Sequence, residues 1–383
     1  YDFIATKPYC KNGVKPKEPT FIFMLDVSYT AIHSGLVSTF CKNIRSLLEN
    51  LPKDVFEEKS SMRIGFVTYD QTIHFYNLKN ALGQPKMTVV SDMHDVFTPL
   101  VDGFLVTLEE AGAALDSLLI EIEKMFADTR VTDTILGPVI QAGMDALKCA
   151  DRSGKLFIFH TNLPLYDAPG KLKNRDDRKV LGTDKEKNVL QPGIDFYGKL
   201  GEECVKNGCA VDLFLFPNSF VDVSSLAPVC TISGGSVYKY QYFEANKDEA
   251  RFLRDLSRDI SREIVFDVMM RVRTSTGLRP TGFFGSFYMD NTTDMEMGAI
   301  DCDKAVHVEM RHDDKLPEGN AHIQCAVLFT SCSGLRRLRV HNLTLSVSSD
   351  YNQIYRVADH GALVSFLFKQ AESLVCEKSP KEM

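Results

Sequence analysis

The sequence predicts an α/β domain with a doubly wound parallel sheet, then an antiparallel β-sandwich, then the start of a helical domain. Strand and helix patterns alternate through residues 19–264, and apolar residues recur with a period of two in short segments through 265–348. Helical spacing returns at 355–374, within a third segment at 349–383. The 383 residues, 44% of them hydrophobic, suffice for more than one core. Residues 1–18 are predicted to be an N-terminal segment that joins the sandwich.

The first domain opens with a buried-strand pattern over residues 20–27. Apolar residues then recur at three- and four-residue intervals from Val37 to Leu51, which predicts a helix that ends at Pro52. The later elements are predicted as strands 62–69 and 72–78 around a turn at Asp70–Gln71, helices 107–126 and 134–149, strand 155–161, helix 196–207, strand 209–216, edge strand 237–243 and helix 247–264. This alternation is typical of a parallel sheet covered by helices on both faces.

A long polar segment interrupts the first domain at residues 171–187. It contains seven basic and four acidic residues. Runs of mixed charge are usually solvated loops, and a basic face for an anionic membrane is the alternative interpretation.

The second domain contains short strand patterns separated by Gly, Asn, Asp and Pro turns. They lie at 265–274, 281–289, 304–311, 321–330 and 335–347. In the first of them, alternation turns Val268, Met270 and Val272 to one face and Arg271 and Arg273 to the other. Two guanidinium groups about 7 Å apart along a strand could hold an acidic group, although a solvated outer face would show the same pattern.

Polar side chains follow the first strand in the pattern Asp26-x-Ser28-x-Thr30. This pattern resembles the first metal-binding loop of von Willebrand-type A domains, in which oxygen ligands hold Mg²⁺. Further ligands are sought at Thr132–Thr134, which could lend a threonine or cap the next helix, and after strand 155–161. A domains usually place an acidic residue there, whereas this chain has Asn162. Because a neutral amide replaces a charge, we expect a degenerate loop without metal, in which Asp26 and Ser28 join loops by hydrogen bonds.

Composition limits the function classes. The net charge of −7 argues against a nucleic-acid-binding protein, and no apolar run approaches the 18 residues of a membrane span. The triplets Asn291-Thr-Thr and Asn342-Leu-Thr keep an extracellular, Mg²⁺-dependent adhesion domain as the alternative function. Histidines and cysteines lack the context of a catalytic motif, and a Gly-rich phosphate loop is absent, so we predict no enzyme.

Several motifs together resemble the cargo-binding subunit of the COPII inner coat, the Sec-twenty-four-type family, and favour its C/D-like branch. They are Phe-x-x-Asp-Val-Ser-Tyr at 23–29, Ile-Gly-Phe-Val-Thr-Tyr-Asp at 64–70, Ile-His-Phe-Tyr-Asn-Leu at 73–78, Leu-Gly-Pro at 136–138, Met-Arg-Val-Arg-Thr-Ser-Thr-Gly at 270–277, Phe-Phe-Gly-Ser-Phe-Tyr at 283–288 and Arg-Arg-Leu-Arg-Val-His-Asn at 336–342. The GTPase-activating sister subunit typically has Asp-Thr-Cys where this chain has Asp26-Val27-Ser28. The resemblance covers nearly the whole chain and names the first domain an A-domain-like trunk.

The resemblance implies a cargo adaptor without catalysis, cytoplasmic and peripheral to the membrane at ER exit sites and on COPII vesicles. Its implied partners are the GTPase-activating coat subunit through the trunk, cytoplasmic tails of cargo, SNAREs, the ER membrane surface and, indirectly, the small coat GTPase, with no nucleic acid. Arg271 and Arg273 match the family's basic pair for acidic export signals, and Tyr76 and Tyr9 match aromatic pocket residues. No cofactor is expected in this chain, because the family's structural zinc belongs to an upstream module that the sequence lacks.

Overall fold

The computed structural model describes residues 1–79, 84–99, 102–177, 179–180, 182–183 and 185–375. The strands are β1 (Asp2–Ile4), β2 (Thr20–Asp26), β3 (Arg63–Tyr69), β4 (Ile73–Asn77), β5 (Lys86–Val90), β6 (Gly154–His160), β7 (Cys209–Leu215), β8 (Val237–Lys239), β9 (Ile264–Thr274), β10 (Leu278–Phe284), β11 (Asp294–Asp301), β12 (His307–His312), β13 (Asn320–Thr330) and β14 (Arg336–Ser346). The helices are α1 (Tyr29–His33), α2 (Leu36–Leu47), α3 (Leu108–Met125), α4 (Gly137–Ala150), α5 (Lys187–Leu190), α6 (Phe196–Lys206), α7 (Val223–Ser233), α8 (Ala245–Ser261), α9 (Tyr351–Val357) and α10 (His360–Leu374).

The trunk is built on a seven-stranded sheet in the order β5-β4-β3-β2-β6-β7-β8. Strands β3, β2, β6, β7 and β8 run parallel, while β4 and β5 form an antiparallel edge. Every residue of β2 is buried, and its alternate side chains enter two separate cores: Phe21 and Phe23 join one, Ile22 and Met24 the other. The sheet is therefore covered on both faces, and the predicted fold class is confirmed.

The trunk helices start and stop at local signals. Thr107 caps α3 in a capping box, because its hydroxyl accepts from Glu110 N at 3.2 Å and the Glu110 carboxylate accepts from Thr107 N at 2.9 Å. Helix α4 begins only at Gly137, with Pro138 in its first turn and Leu136 as its N-cap. The predicted start at residue 134 was therefore three residues early, and Thr134 does not cap this helix.

The sandwich pairs a five-stranded antiparallel sheet, ordered β1-β14-β13-β9-β11, with the two-stranded sheet β10-β12. Its small core contains Val268, Met295, Met297 and Phe329. The N-terminal segment contributes β1, which pairs with β14 at the edge of the larger sheet.

Several elements were not predicted, among them β11, α7 and β5. Strand β11 alternates Met295, Met297 and Ala299 inward, but acidic residues at both of its ends and Gly298 within it hid the pattern. Helix α7 was missed because Pro228 lies inside it, and β5 because it is a short edge strand with only Val90 buried.

Two predicted segments extend beyond the described residues. The polar segment at 171–187 includes three residues outside them, and the start of the helical domain is described only to residue 375. None of the described helices combines the length and the apolar character that crossing a membrane requires.

Candidate functional site

Met269, Arg271 and Arg273 form one face of β9, which we call the β9 outer face. The alternate residues Val268, Met270 and Val272 pack into or against the sandwich core, so the predicted division of this strand is confirmed. Met269 is 39% exposed, and Arg273 is also exposed. The strand lies between β13 and β11, and hydrogen bonds to these neighbours hold its backbone from both sides.

The two arginines of this face differ in their surroundings. Arg271 lies opposite Asp294 of β11 and donates Nε and Nη2 to both carboxylate oxygens of that residue. This hydrogen bonding, with the more distant charge of Arg273, lowers the pKa of Asp294. The side chain of Arg271 remains 40% exposed. Arg273 makes no ion pair or side-chain hydrogen bond with the described part of the chain, so its guanidinium is free for a ligand.

On the same side of the sheet β13 adds uncharged groups, whereas β11 places Asp294 and Glu296 opposite Arg271 and Met269. Gln324 of β13 lies opposite Arg273, and its amide donates to Asn342 Oδ1 of β14 at 3.0 Å. Ala326 lies opposite Arg271. On the β13 side, the face next to Arg273 is therefore polar or small.

The two tyrosines implied by the resemblance lie elsewhere. Tyr76 is 1% exposed in the trunk core, where its hydroxyl bonds Thr68 Oγ1 at 2.8 Å. Because its side chain packs inside the trunk core, Tyr76 offers no surface to a ligand here and is left out of the proposed site. Tyr9 is 50% exposed in the N-terminal segment, and its carbonyl accepts from Arg336 Nε at 3.3 Å. The structure does not bring either tyrosine to the β9 outer face.

The loop that resembles an A-domain metal site is closed by hydrogen bonds. The Asp26 carboxylate accepts from Ser28 N at 2.8 Å, from Thr161 N at 3.0 Å and from Thr161 Oγ1 at 2.5 Å. The Asn162 amide donates to Ser28 Oγ at 3.4 Å and to the carbonyl of Thr132 at 3.1 Å. These contacts join the ends of β2 and β6 to the segment before α4, which agrees with the interpretation that Asp26 and Ser28 join loops.

The residues present do not fit Mg²⁺. Both oxygens of the buried Asp26 already accept hydrogen bonds from the protein, and Asn162 points an NH₂ donor at Ser28. Thr30 lies in the first turn of α1, and the Thr134 hydroxyl is buried without a partner in the described structure. Mg²⁺ requires oxygen acceptors in near-octahedral order, and a single carboxylate engaged by three donors does not supply them.

A buried ionic cluster at the junction of trunk and sandwich was not predicted. Lys155 Nζ lies 2.6 Å from Asp212 Oδ2 and 2.7 Å from Asp259 Oδ1, and Arg262 Nη2 lies 3.0 Å from Asp301 Oδ2. Burial, followed by the charge of Asp212, raises the pKa of Asp259 to about 8. Asp259 is therefore the carboxyl of this cluster that takes up a proton most readily, although Lys155 and Arg262 both donate to its Oδ1. The cluster could have been inferred from the sequence, because Lys155 and Asp212 are charged residues within otherwise apolar strands.

Comparison with known proteins places this architecture in a family. The model of the Sec23/Sec24 trunk domain matches residues 16–260, and that of the Sec23/Sec24 beta-sandwich domain matches residues 265–348. Human protein transport protein Sec24C is 55% identical over 97% of this chain and 34% of its own length, and human Sec24D is 52% identical over 100% and 37%. The chain thus spans about a third of the length of these relatives, whose names describe transport proteins rather than enzymes, as predicted.

Solved structures agree with the sequence comparison. The crystal structure of the human COPII-coat protein Sec24c superposes with a TM-score of 0.96 and 54% identity, over 100% of this chain and 50% of that one. A von Willebrand factor type A protein from Catenulispora acidiphila shares the fold alone, with a TM-score of 0.51 and 11% identity over 88% of this chain and 68% of that one. With two consecutive domain matches and relatives more than half identical, the chain belongs to the Sec23/Sec24 family.

Proposed function

We propose that this chain is the trunk and sandwich part of a cargo-adaptor subunit of the COPII coat, which binds acidic export signals on the β9 outer face. The single observation that carries the binding site is Arg273, an exposed guanidinium without an ion pair among the described residues, on a strand fixed from both sides. An Arg side chain in this setting can donate paired hydrogen bonds to a carboxylate.

Arg271 has a supporting part in this proposal. Its guanidinium is already engaged by Asp294, so it does not offer all of its donors to a peptide. The ion pair keeps Arg271 in place and leaves 40% of its side chain exposed beside Arg273. The first carboxylate of an Asp-x-Glu signal would bind Arg273, and the second would lie near the exposed edge of Arg271.

Tyr9 is proposed as a separate aromatic contact for an apolar side chain of cargo. It is half exposed, and its carbonyl contacts Arg336, which also binds the carbonyl of Asp267 near the start of β9. Asp267 is six residues from Arg273, or roughly 20 Å along the strand. A cargo tail that reached both places would need several extended residues.

The proposed partners follow from the family. Through the trunk the chain would pair with the GTPase-activating inner-coat subunit, and through it contact the small coat GTPase indirectly. Cargo tails and SNAREs would be the ligands, at the cytoplasmic surface of ER exit sites and on COPII vesicles. No observation favours the Mg²⁺-dependent adhesion domain, because the carboxylate that would hold the ion is occupied by protein donors.

The test is a fluorescence-anisotropy titration of a labelled di-acidic peptide against this protein in EDTA. We expect Arg273→Ala to weaken binding by about tenfold, which corresponds to the loss of one charge-assisted hydrogen bond of about 1.4 kcal/mol. Arg130→Ala is the matched control, since Arg130 is exposed and has no ion pair within the described ranges. Equal affinity of the wild-type protein and Arg273→Ala would refute the site.

A further inference from the structure

A second basic site lies at the junction of the N-terminal segment, the trunk and the sandwich. It is a cavity of about 180 Å³. The segment before β2 forms one wall, the end of α4 and the α6–β7 turn form the second, and β9 with the β13–β14 connection forms the third. We call it the junction pocket. Asp267 is the residue of β9 that lines this pocket. It lies six residues from Arg273, or roughly 20 Å along the strand, so the junction pocket is distinct from the β9 outer face.

The junction pocket is positively charged in a chain whose net charge is −7. Its lining contains six basic side chains and two acidic ones. Lys15 and Lys148 lie at its rim, both exposed and without an ion pair in the described part of the chain. Lys11 donates to the carbonyl of Lys206 at 2.9 Å and keeps its charge uncompensated. The other three cations are paired with carboxylates, Lys17 with Asp151 at 3.9 Å, Arg336 with Asp267 and Arg152 with Glu18, so three lysines carry the unpaired charge.

The floor of the pocket is held in place by internal contacts. Arg336 donates Nη1 to the carbonyl of Asp267 at 2.6 Å and to Thr330 Oγ1 at 3.1 Å, and its side chain is 9% exposed. Arg152 is 13% exposed and donates to both the carbonyl and the carboxylate of Glu18. These contacts fix the guanidinium groups before any ligand arrives, so little conformational entropy is lost on binding.

One polar group in this lining has no partner. The Ser153 hydroxyl is shut off from solvent and makes no hydrogen bond within the described structure. A buried hydroxyl without a partner is unfavourable, so an acceptor that enters the pocket would find a donor in Ser153. The backbone of Gly208 adopts φ +64° directly beside it, where an added Cβ would lie 3.1 Å from Ser153 Cβ. This glycine keeps the space next to the hydroxyl open.

We propose that the junction pocket binds a phosphomonoester group. Such a group carries about −1.5 to −2 charges at pH 7 and three acceptor oxygens, which suits several lysines and one unpartnered hydroxyl better than a single carboxylate does. Lys15 and Lys148 supply the attraction from the rim, and rotation of the Ser153 side chain toward the cavity would let its hydroxyl donate to a phosphate oxygen. The group could arrive on a soluble molecule or on a lipid headgroup, and the experiment separates these sources.

The experiment measures binding of inositol hexakisphosphate by isothermal titration calorimetry, with inorganic phosphate as the minimal probe. Wild-type protein and the charge-matched control Lys42→Gln/Lys86→Gln should bind equally, since both control lysines are exposed and lie outside the pocket. Lys15→Gln/Lys148→Gln should bind at least about tenfold more weakly, or 1.4 kcal/mol. Ser153→Ala should also weaken binding, without lowering the melting temperature of the ligand-free protein, because it removes a hydroxyl that has no partner.

Flotation with phosphatidylcholine vesicles, with and without a phosphoinositide, then identifies the source. Pocket-dependent capture by phosphoinositide vesicles assigns a lipid headgroup, whereas binding of the soluble probe without capture assigns a soluble phosphate compound. Failure of the wild-type protein to bind any phosphorylated probe, or equal binding by the pocket variant and the control, would overturn the proposal. Equal affinity for an unphosphorylated acidic peptide in the same pocket would overturn the phosphate assignment.

Discussion

Lys155→Met should destabilise the protein strongly, because Lys155 contacts the buried carboxyl groups of Asp212 and Asp259 and is the closest cation to Asp212. The Lys155 side chain is 2% exposed, and those of Asp212 and Asp259 are 0% exposed. After the substitution the nearest remaining cation to Asp212 would be Arg262, at 3.8 Å instead of 2.6 Å. Breaking a buried ion pair from one side costs about 3–5 kcal/mol.

This loss should be visible in thermal and chemical unfolding. For a domain of this size about 1 kcal/mol shifts the melting temperature by about 2–4 °C, so we expect a decrease of roughly 6–20 °C. The chain contains no Trp, so unfolding in urea is best followed by far-ultraviolet circular dichroism. Lys42→Met, on an exposed position of α2, controls for the change of residue type.

The loss of stability in Lys155→Met should also depend on pH. Burial alone raises the pKa of Asp212, and the charge of Lys155 lowers it, so the variant should have a raised folded-state pKa at this carboxyl. A carboxyl with a raised folded-state pKa loses stability as pH rises, and the deficit should therefore be smaller near pH 5 than near pH 8. Adding Asp212→Asn should restore much of the stability. A deficit below about 1 kcal/mol, or one that does not change with pH, would refute the assigned charges.

Three further predictions concern stability and metal binding. Asp259→Asn should make the free energy of unfolding less dependent on pH than in the wild type. The folded-state pKa of Asp259, about 8, lies above the unfolded value near 3.9. This carboxyl therefore stabilises the fold fully below about pH 4, and the stabilisation is lost as pH rises through about 8. Arg271→Ala should cost about 1–2 kcal/mol in urea unfolding because it strands the buried Asp294, whereas Arg273→Ala should change stability by less than about 0.5 kcal/mol. Asp26→Ala should lower the free energy of unfolding by about 2–5 kcal/mol, because it removes the acceptor of three hydrogen bonds. Mg²⁺ should not raise the melting temperature of the wild-type protein.

Each of these predictions can fail in a specific way. An Asp259→Asn variant with the same pH slope as the wild type between about pH 5 and pH 8 would contradict the raised pKa of Asp259. Equal losses of unfolding free energy in Arg271→Ala and Arg273→Ala would mean that the Arg271–Asp294 pair does not stabilise the fold, which is the case for many exposed ion pairs. A melting temperature that rises with Mg²⁺ and falls with EDTA would revive the metal loop at Asp26.

The sequence was most informative where one local pattern determines the structure. The apolar run within β2, the three- and four-residue spacing in α2 and the alternation in β9 each predicted a face or a core without knowledge of neighbouring elements. The resemblance of several separate motifs then identified the family, which composition alone could not do. The polar residues after β2 and β6 predicted that the two loops lie close together at the carboxyl ends of the strands, and the structure brings Asp26, Ser28 and Asn162 together there.

The sequence was least informative where strand register and long-range pairing determine which side chains meet. Arg271 is engaged by Asp294 only because β11 pairs with β9, and β11 itself was not predicted. Tyr76 was placed correctly in a strand, but its burial depends on the strands and helix that surround it. The junction pocket could not be foreseen either, because the segment before β2, the end of α4 and the start of β9 meet only in the folded chain.

The most direct test of the proposed adaptor function is a charge swap at Arg273, measured by peptide anisotropy in EDTA. The Arg273→Glu variant should lose the di-acidic peptide and gain a peptide in which both acidic residues are replaced by Lys, while the wild-type protein should show the opposite preference. Such an exchange would place the export signal on the β9 outer face without a metal ion. Unchanged binding of the di-acidic peptide by the Arg273→Glu variant would contradict the account.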